Sequence, residues 1–224
     1  MNLSATTTQP TAALAGVPSG IQPQGLMTGR RQAFIRFATE GETAQMYTAG
    51  ALVKELTRIC SRAAIHSIAV TGRDPIGNSE FLLTVLTALD VKLPVVLDTD
   101  GQRPERVASF AGAKGLSVLQ VHTTLTEGDA ALERQAQTLK SAADLGLRHV
   151  FVMSPKDDVP DAVMLRAVEQ VRTQAPGTEV VVHPILGEKP NALDRRWATL
   201  LEQVSATHPD VRLVLRVPPP AGLR

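Results

Sequence analysis

Polar side chains with chemical reach recur where the short apolar runs of this chain end. Arg36, Thr71, Gly72, Asp74, Asp98, Asp100, His122, Ser154 and His183 each close or follow such a run. If the runs are parallel strands of one sheet, these residues gather at its carboxyl edge, where folds of alternating strands and helices usually keep their chemistry. A guanidinium at Arg36 can grip a carboxylate through two hydrogen bonds. Thr71-Gly72-Arg73, opening onto a helix at Ser79, offers backbone donors to an anion. It lacks the Gly-x-x-x-x-Gly-Lys spacing of a nucleotide loop. Asp98 and Asp100 can accept hydrogen bonds from a ribose or an amine. His122 and His183 with Asp98 have the chemistry of metal ligands, yet no close pair such as His-x-x-x-His backs them, and no metal is expected. Ser154-Pro155-Lys156 shows no histidine partner in the sequence and reads as a loop turn. The expectation is a small polar ligand, weakly held by Arg36, Thr71, Gly72, Asp74, Asp98, Asp100, His122 and His183, with no residue assigned to catalysis. The competing expectation is that Arg36 pairs with Asp98 or Asp74 and plugs the mouth.

The elements that must position these residues alternate along the chain. Nearly uniform apolar runs at 34–38, 67–70, 94–97, 116–121, 149–153, 179–182 and 211–215 read as strands buried on both faces. Helical patterns occupy 49–63, 79–89, 104–112, 129–145, 160–174 and 192–206, with Leu52, Leu56 and Ile59 at helical spacing, as are Leu132, Leu139 and Ala143. Asn78 or Ser79 can cap the second helix, Asp158 with Pro160 opens the fifth, and Gly146 closes the fourth. Trp197 reads as a ring buried on the sheet. Seven strands alternating with six helices require a mainly parallel sheet with right-handed crossovers. An open doubly wound sheet and a partial barrel both satisfy that pattern.

Composition narrows the classes. The chain has 224 residues, 43% of them hydrophobic, enough for one domain with a real core. Aromatics are only 3%, so packing relies on Leu, Val, Ile and Ala. Lys and Arg number 23 against 22 Asp and Glu, a net charge of +1 that points to no nucleic-acid partner. The one cysteine, Cys60, sits in a helical pattern and reads as a small buried hydrophobe. It excludes a disulfide framework within the chain and fits a reducing compartment. No apolar run approaches the roughly 20 residues that span a membrane, and the start lacks a secretory pattern, so a cytoplasmic protein is expected. Residues 1–20, rich in Thr, Ala, Ser, Gly and Pro, read as a flexible tail. A domain over 21–217 follows, then a stiff Pro-rich tail at 218–224.

Thr28-Gly29-Arg30-Arg31-Gln32-Ala33-Phe34-Ile35-Arg36-Phe37-Ala38, preceded by Gly20-Ile21-Gln22-Pro23-Gln24-Gly25, resembles the opening of the 7-carboxy-7-deazaguanine synthases. These are radical S-adenosylmethionine (SAM) enzymes of the 7-deazapurine pathway that leads to queuosine. The resemblance implies a partial (β/α)6 TIM-like barrel with mainly parallel strands. Further matches run in order: Thr71-Gly72-Arg73-Asp74-Pro75 stands at the family's Gly-Gly-Glu-Pro, Asp98-Thr99-Asp100-Gly101 at its Glu-Thr-Asn-Gly, and His183-Pro184-Ile185 at its Gln-Pro-Val. Arg36 matches an arginine that meets the substrate carboxylate. The family's cluster motif Cys-x3-Cys-x2-Cys falls on Glu40, Ala44 and Tyr47, none of which can give the thiolate a [4Fe–4S] cluster needs. Gln22-Pro23-Gln24-Gly25 replaces a Gln-Gly-Glu-Gly with its substrate-contacting carboxylate. Thr48-Ala49 replaces the Asp-Thr whose threonine helps hold magnesium, and Arg216-Val217-Pro218-Pro219 replaces a closing Gln-x-His-Lys.

The resulting expectation is a radical SAM-like pseudoenzyme that binds a protein partner or a small ligand without an iron–sulfur cluster, with a homodimer as one form of partnership. No cofactor is expected; [4Fe–4S], SAM and Mg are expected only if the family activity is retained. The alternatives are a working 7-carboxy-7-deazaguanine synthase, and a non-radical enzyme using the strand-end Asp and His residues. Neither nucleic acid nor membrane is expected as a partner.

Overall fold

A computed structural model describes residues 9–156, 158–184 and 195–214. Seven strands follow the apolar runs: β3 (Arg31–Phe37), β5 (Ser67–Gly72), β6 (Val95–Thr99), β7 (Leu116–Thr123), β8 (Arg148–Met153), β9 (Glu179–Val182) and β10 (Val211–Leu213). Three more precede or flank β3: β1 (Thr11–Gly16), β2 (Ser19–Ile21) and β4 (Gln45–Thr48). The helices are α1 (Ala49–Arg62), α2 (Ser79–Ala88), α3 (Pro104–Val107), α4 (Asp129–Asp144), α5 (Asp161–Gln174) and α6 (Arg195–Thr207). All ten strands join one sheet in the order β10-β9-β8-β7-β6-β5-β3-β1-β4, with β2 on β3.

Every neighbouring pair from β3 to β10 is parallel. Their order follows the chain without reversal. A doubly wound sheet turns back on itself at a switch point, and no such reversal exists among the described strands. Successive right-handed crossovers in one direction stack their helices on one face. The burial pattern agrees. Leu97, Leu119, Val121, Phe151, Met153, Val180 and Val182 join the cluster that holds Leu52, Leu56, Val85, Leu139, Val168 and Trp197 of the helices. The alternate residues Val96, Val118, Val150, Val152 and Val181 form a separate cluster on the other face, against which Leu26, Met27 and Val214 pack among the described residues. That second face carries the site.

Local signals act largely as the sequence suggests. The α4 end turns through Gly146 at φ 71°, with Gly146 and Leu147 donating to the Ala143 and Ala142 carbonyls. Trp197 is buried, with the Arg196 guanidinium 4.8 Å from its ring centroid. At α2, Asn78 makes no side-chain cap; Asp74 caps the preceding turn instead, accepting from the Gly77 amide at 3.0 Å. The expected helix at 104–112 shortens to α3 and a single 3-10 turn at 108–110.

The flexible-tail expectation for 1–20 is corrected from residue 11 onward. β1 lies antiparallel between β3 and β4, with Ala12 and Leu14 at 3% and 0% exposure. Burying a leucine side chain stabilises by about 1.5–3 kcal/mol, and the strand also satisfies its backbone against two neighbours. Small residues hid the alternation, because Ala12 and Ala13 look alike in sequence yet face opposite ways. Residues 1–8 and the Pro-rich 218–224 lie outside the described residues, as do Ile185 and the 216–219 positions. No helix among the described residues is long and apolar enough to cross a membrane.

Candidate functional site

Strand parity decides which side chains meet. With Ala33, Ile35 and Phe37 packed toward the helices, Gln32, Phe34 and Arg36 point to the opposite face. The same alternation sends Thr71, Asp98, Gln120, His122, Ser154 and His183 to that face at the carboxyl ends of β5 to β9. Between this polar row and the segment that follows β1 lies a cavity of about 310 Å3. Its walls are Phe34, Arg36, Thr71 and Asp98, and its roof is β2 with Gln22 and Gln24.

The roof is a tied turn. Gln22 donates to the Arg30 carbonyl and accepts from the Gly29 amide, both through the backbone at 2.9 Å. Thr28 Oγ1 donates to the Gly25 carbonyl at 2.6 Å. From 94 residues away the fully buried Gln120 accepts from the Leu26 amide at 2.9 Å and donates through Nε2 to Asp98 Oδ1 at 3.2 Å. Gly25, at φ 76°, sits so close to Gln120 that a Cβ would fall 2.5 Å from its amide. One side chain thus joins the roof to the wall.

Asp98 is the electrostatic centre. Burial pushes its carboxyl above the usual range, against the opposing pull of the His122 imidazole and of hydrogen bonds from Gln120 and Thr71. Arg36 pairs with neither Asp98 nor Asp74, which corrects that expectation. Its Nη2 donates to Glu42 Oε1 at 3.0 Å, because the loop after β3 returns a nearer carboxylate. Glu42 also accepts from the Thr39 amide, the largest cause of its lowered pKa. The Arg36 side chain keeps 46% of its surface exposed, so the guanidinium remains available at the cavity mouth.

Six of the eight sequence-derived residues divide between two hollows, and His122 and His183 line neither of them. Arg36, Thr71 and Asp98 share the cavity, whereas Gly72, Asp74 and Asp100 line a separate open depression of about 460 Å3 with Arg73 and Arg103. Adjacent Thr71 and Gly72 necessarily face opposite ways. Asp74 is committed to Arg103, at 2.8 Å, and to the Gly77 amide; Asp100 accepts from the Gln102 amide at 3.0 Å. His183 Nδ1 lies 2.6 Å from the Val214 carbonyl. Among the described residues no group of three or more His, Cys, Asp or Glu is placed to hold a metal ion. Ser154 does have a histidine partner: His122 Nε2 lies 2.7 Å from its Oγ. The expectation that Ser154 lacks a histidine partner is corrected, while residues 154–156 do lie outside strand and helix, between β8 and α5.

The positions where the resemblance would place cluster ligands do not suit one. Glu40 is 93% exposed beside Arg73, and Ala44 is exposed. Tyr47 lies within β4, opposite Ala12. Cys60 sits in α1, where burial pushes its thiol up. Thr48 is no better suited to magnesium, since its hydroxyl caps α1 by accepting from the Ala51 amide at 3.2 Å.

Sequence reasoning missed Gln120, Phe34 and the roof at Ser19–Ile21. Gln120 had a signal: it shares parity with His122 inside an otherwise apolar strand. No family model matches the chain, and no curated protein matches it.

Proposed function

We propose that this chain is a radical SAM-like partial (β/α)6 barrel, similar to the 7-carboxy-7-deazaguanine synthases, that has lost cluster chemistry and binds a small polar ligand as a pseudoenzyme. The observation that carries the reading is the cavity at the carboxyl ends of β3, β5 and β6, bounded by Arg36, Thr71 and Asp98. The unreversed strand order supports the barrel part, since closing such a sheet needs only continued stepping in one direction. The volume lies at the lower end of small-molecule sites. A planar heterocycle has the Phe34 ring to lie against and the Gln22 and Gln24 amides above it. An anionic group has Arg36 at the mouth, and an amine or ribose has Asp98.

Two measurements test the reading. Protein reconstituted with iron and sulfide without oxygen should stay colourless; about four irons per chain, as a [4Fe–4S] cluster requires, would restore the working-enzyme alternative. Calorimetric titration with SAM, S-adenosylhomocysteine and carboxylated pterins should show binding that Arg36→Ala weakens. If none binds below millimolar concentration and Arg36→Ala only lowers thermal stability, Arg36 is structural and the ligand reading fails.

A further inference from the structure

The hydrogen bond between Ser154 and His122 is not needed by ligand binding in the cavity, and it has the geometry of an activated nucleophile. Ser154 follows β8, and its backbone amide donates to the Thr123 carbonyl at 2.8 Å, extending the ladder with β7 and fixing its Cα. Its Oγ lies 2.7 Å from His122 Nε2, although 32 residues separate them in the chain. The same parity brings Asp98 of β6 to that face, one strand further on. Three adjacent parallel strands therefore present a hydroxyl, an imidazole and a carboxylate in line.

We propose that Ser154, His122 and Asp98 form an acyl-transfer site that hydrolyses small carboxylic esters. The rule is that a nucleophile within hydrogen-bond reach of a base, with a third group beside the base, is recognised by roles rather than chain order. With Nε2 accepting from the Ser154 hydroxyl, the ring proton resides on Nδ1. Ser154 Oγ bonds to the ester carbonyl carbon and passes its proton to His122 Nε2. The ester C–O bond then breaks, and the leaving alkoxide takes that proton away as an alcohol. Water next adds to the acyl carbon, giving its proton to His122; the acid departs as Ser154 Oγ recovers the proton. Atoms and charge balance, with water the only co-reactant.

Asp98 acts as a positioning and charge-stabilising residue. Its carboxylate is disfavoured by burial and favoured by the imidazole charge, so imidazolium formation during acyl transfer relieves an existing electrostatic cost. Asp98 is the member of the row that lines the 310 Å3 cavity, so a substrate held there meets the row at its Asp98 end. The proposal goes beyond the ligand-binding reading and fails separately from it, because it requires covalent reaction at Ser154 and no affinity for SAM or pterins.

The full chain should be treated with a fluorophosphonate probe and mapped by peptide mass spectrometry, with p-nitrophenyl acetate and butyrate hydrolysis followed in parallel. The expected result is one phosphonylated residue, Ser154, and ester turnover that Ser154→Ala removes while Ser109→Ala, on the exposed surface, leaves unchanged. His122→Gln keeps a side-chain acceptor but cannot carry the proton, and should slow both labelling and turnover about 100-fold or more. Asp98→Asn should lower kcat with little change in KM while raising thermal stability, a combination that a purely structural role does not produce. Folded wild-type protein that leaves Ser154 unmodified overturns the proposal, as does labelling that His122→Gln does not slow. The wild-type peptide map decides the matter even if Ser154→Ala fails to fold.

Discussion

Replacing Gln120 by leucine tests the linkage that builds the site. Gln120 is 1% exposed and joins the Leu26 amide to Asp98. Leucine has similar volume, so cavity formation is a minor term and the loss is polar. A neutral hydrogen bond contributes about 1 kcal/mol and one to a charged group about 1.5–3 kcal/mol. Leu26 and Asp98 are both half-buried, so water recovers part of each; the net cost should be about 2 kcal/mol. For a chain of this size that is a fall in Tm of about 4–8 °C. Calorimetry and urea unfolding measure the stability, and amide hydrogen exchange at Leu26, Met27 and Thr28 reports whether the roof has been released. Gln120→Glu sharpens the test. It keeps an acceptor for Leu26 but faces Asp98 with a second carboxylate, so it should approach wild-type stability in acid, where the pair can share a proton, and fall behind as pH rises. A Gln120→Leu protein within 0.5 kcal/mol of wild type, with roof amides still protected, would refute the linkage.

Three further outcomes follow from the geometry. Asp98 has a folded-state pKa above its unfolded value, so its contribution is fully present below about pH 4 and is lost as pH rises through the folded value; Asp98→Asn should therefore gain Tm relative to wild type at neutral pH and lose that advantage in acid, read by thermal melts across the range. Glu179, 7% exposed and gripped by Arg148 and Arg212, has its carboxyl held low chiefly by the Arg148 hydrogen bond. Its stabilisation is present above the unfolded value and is lost as pH falls through the folded one. Because both guanidiniums are nearly half exposed, Glu179→Gln should cost only about 1–2 kcal/mol at pH 7, with the gap closing in acid. Gly72, at φ 98°, would place a Cβ 2.1 Å from the Phe37 carbonyl oxygen; backbone cannot yield there, and Gly72→Ala should cost about 2–5 kcal/mol in urea unfolding, whereas Gly112→Ala, with open space, should cost only its φ strain.

The seven parallel strands and their helices were legible because a strand buried on both faces writes a continuous apolar run, and a helix writes its own period, within a dozen residues. Gly146 and Trp197 were legible for the same local reason. β1, β2 and β4 were not: their Ala, Gly, Thr and Gln residues carry little apolar signal, and they become strands because β3 pairs with β1 and β2, and β1 in turn offers β4 an edge. The residue types of the site were visible at the strand ends, but their partners were not. Arg36 meets Glu42 because the loop after β3 folds back, yet it stays at the cavity with Thr71 and Asp98, whereas Asp74 meets Arg103 outside it. Ser154 finds His122 across 32 residues, and Gln120 finds Leu26 across 94. Such pairs depend on inter-strand register, in which a slip of one residue turns every side chain to the opposite face. The sequence by itself determined that there would be a sheet with a polar carboxyl edge; the register of that sheet, settled by tertiary packing, decided which of those polar groups touch.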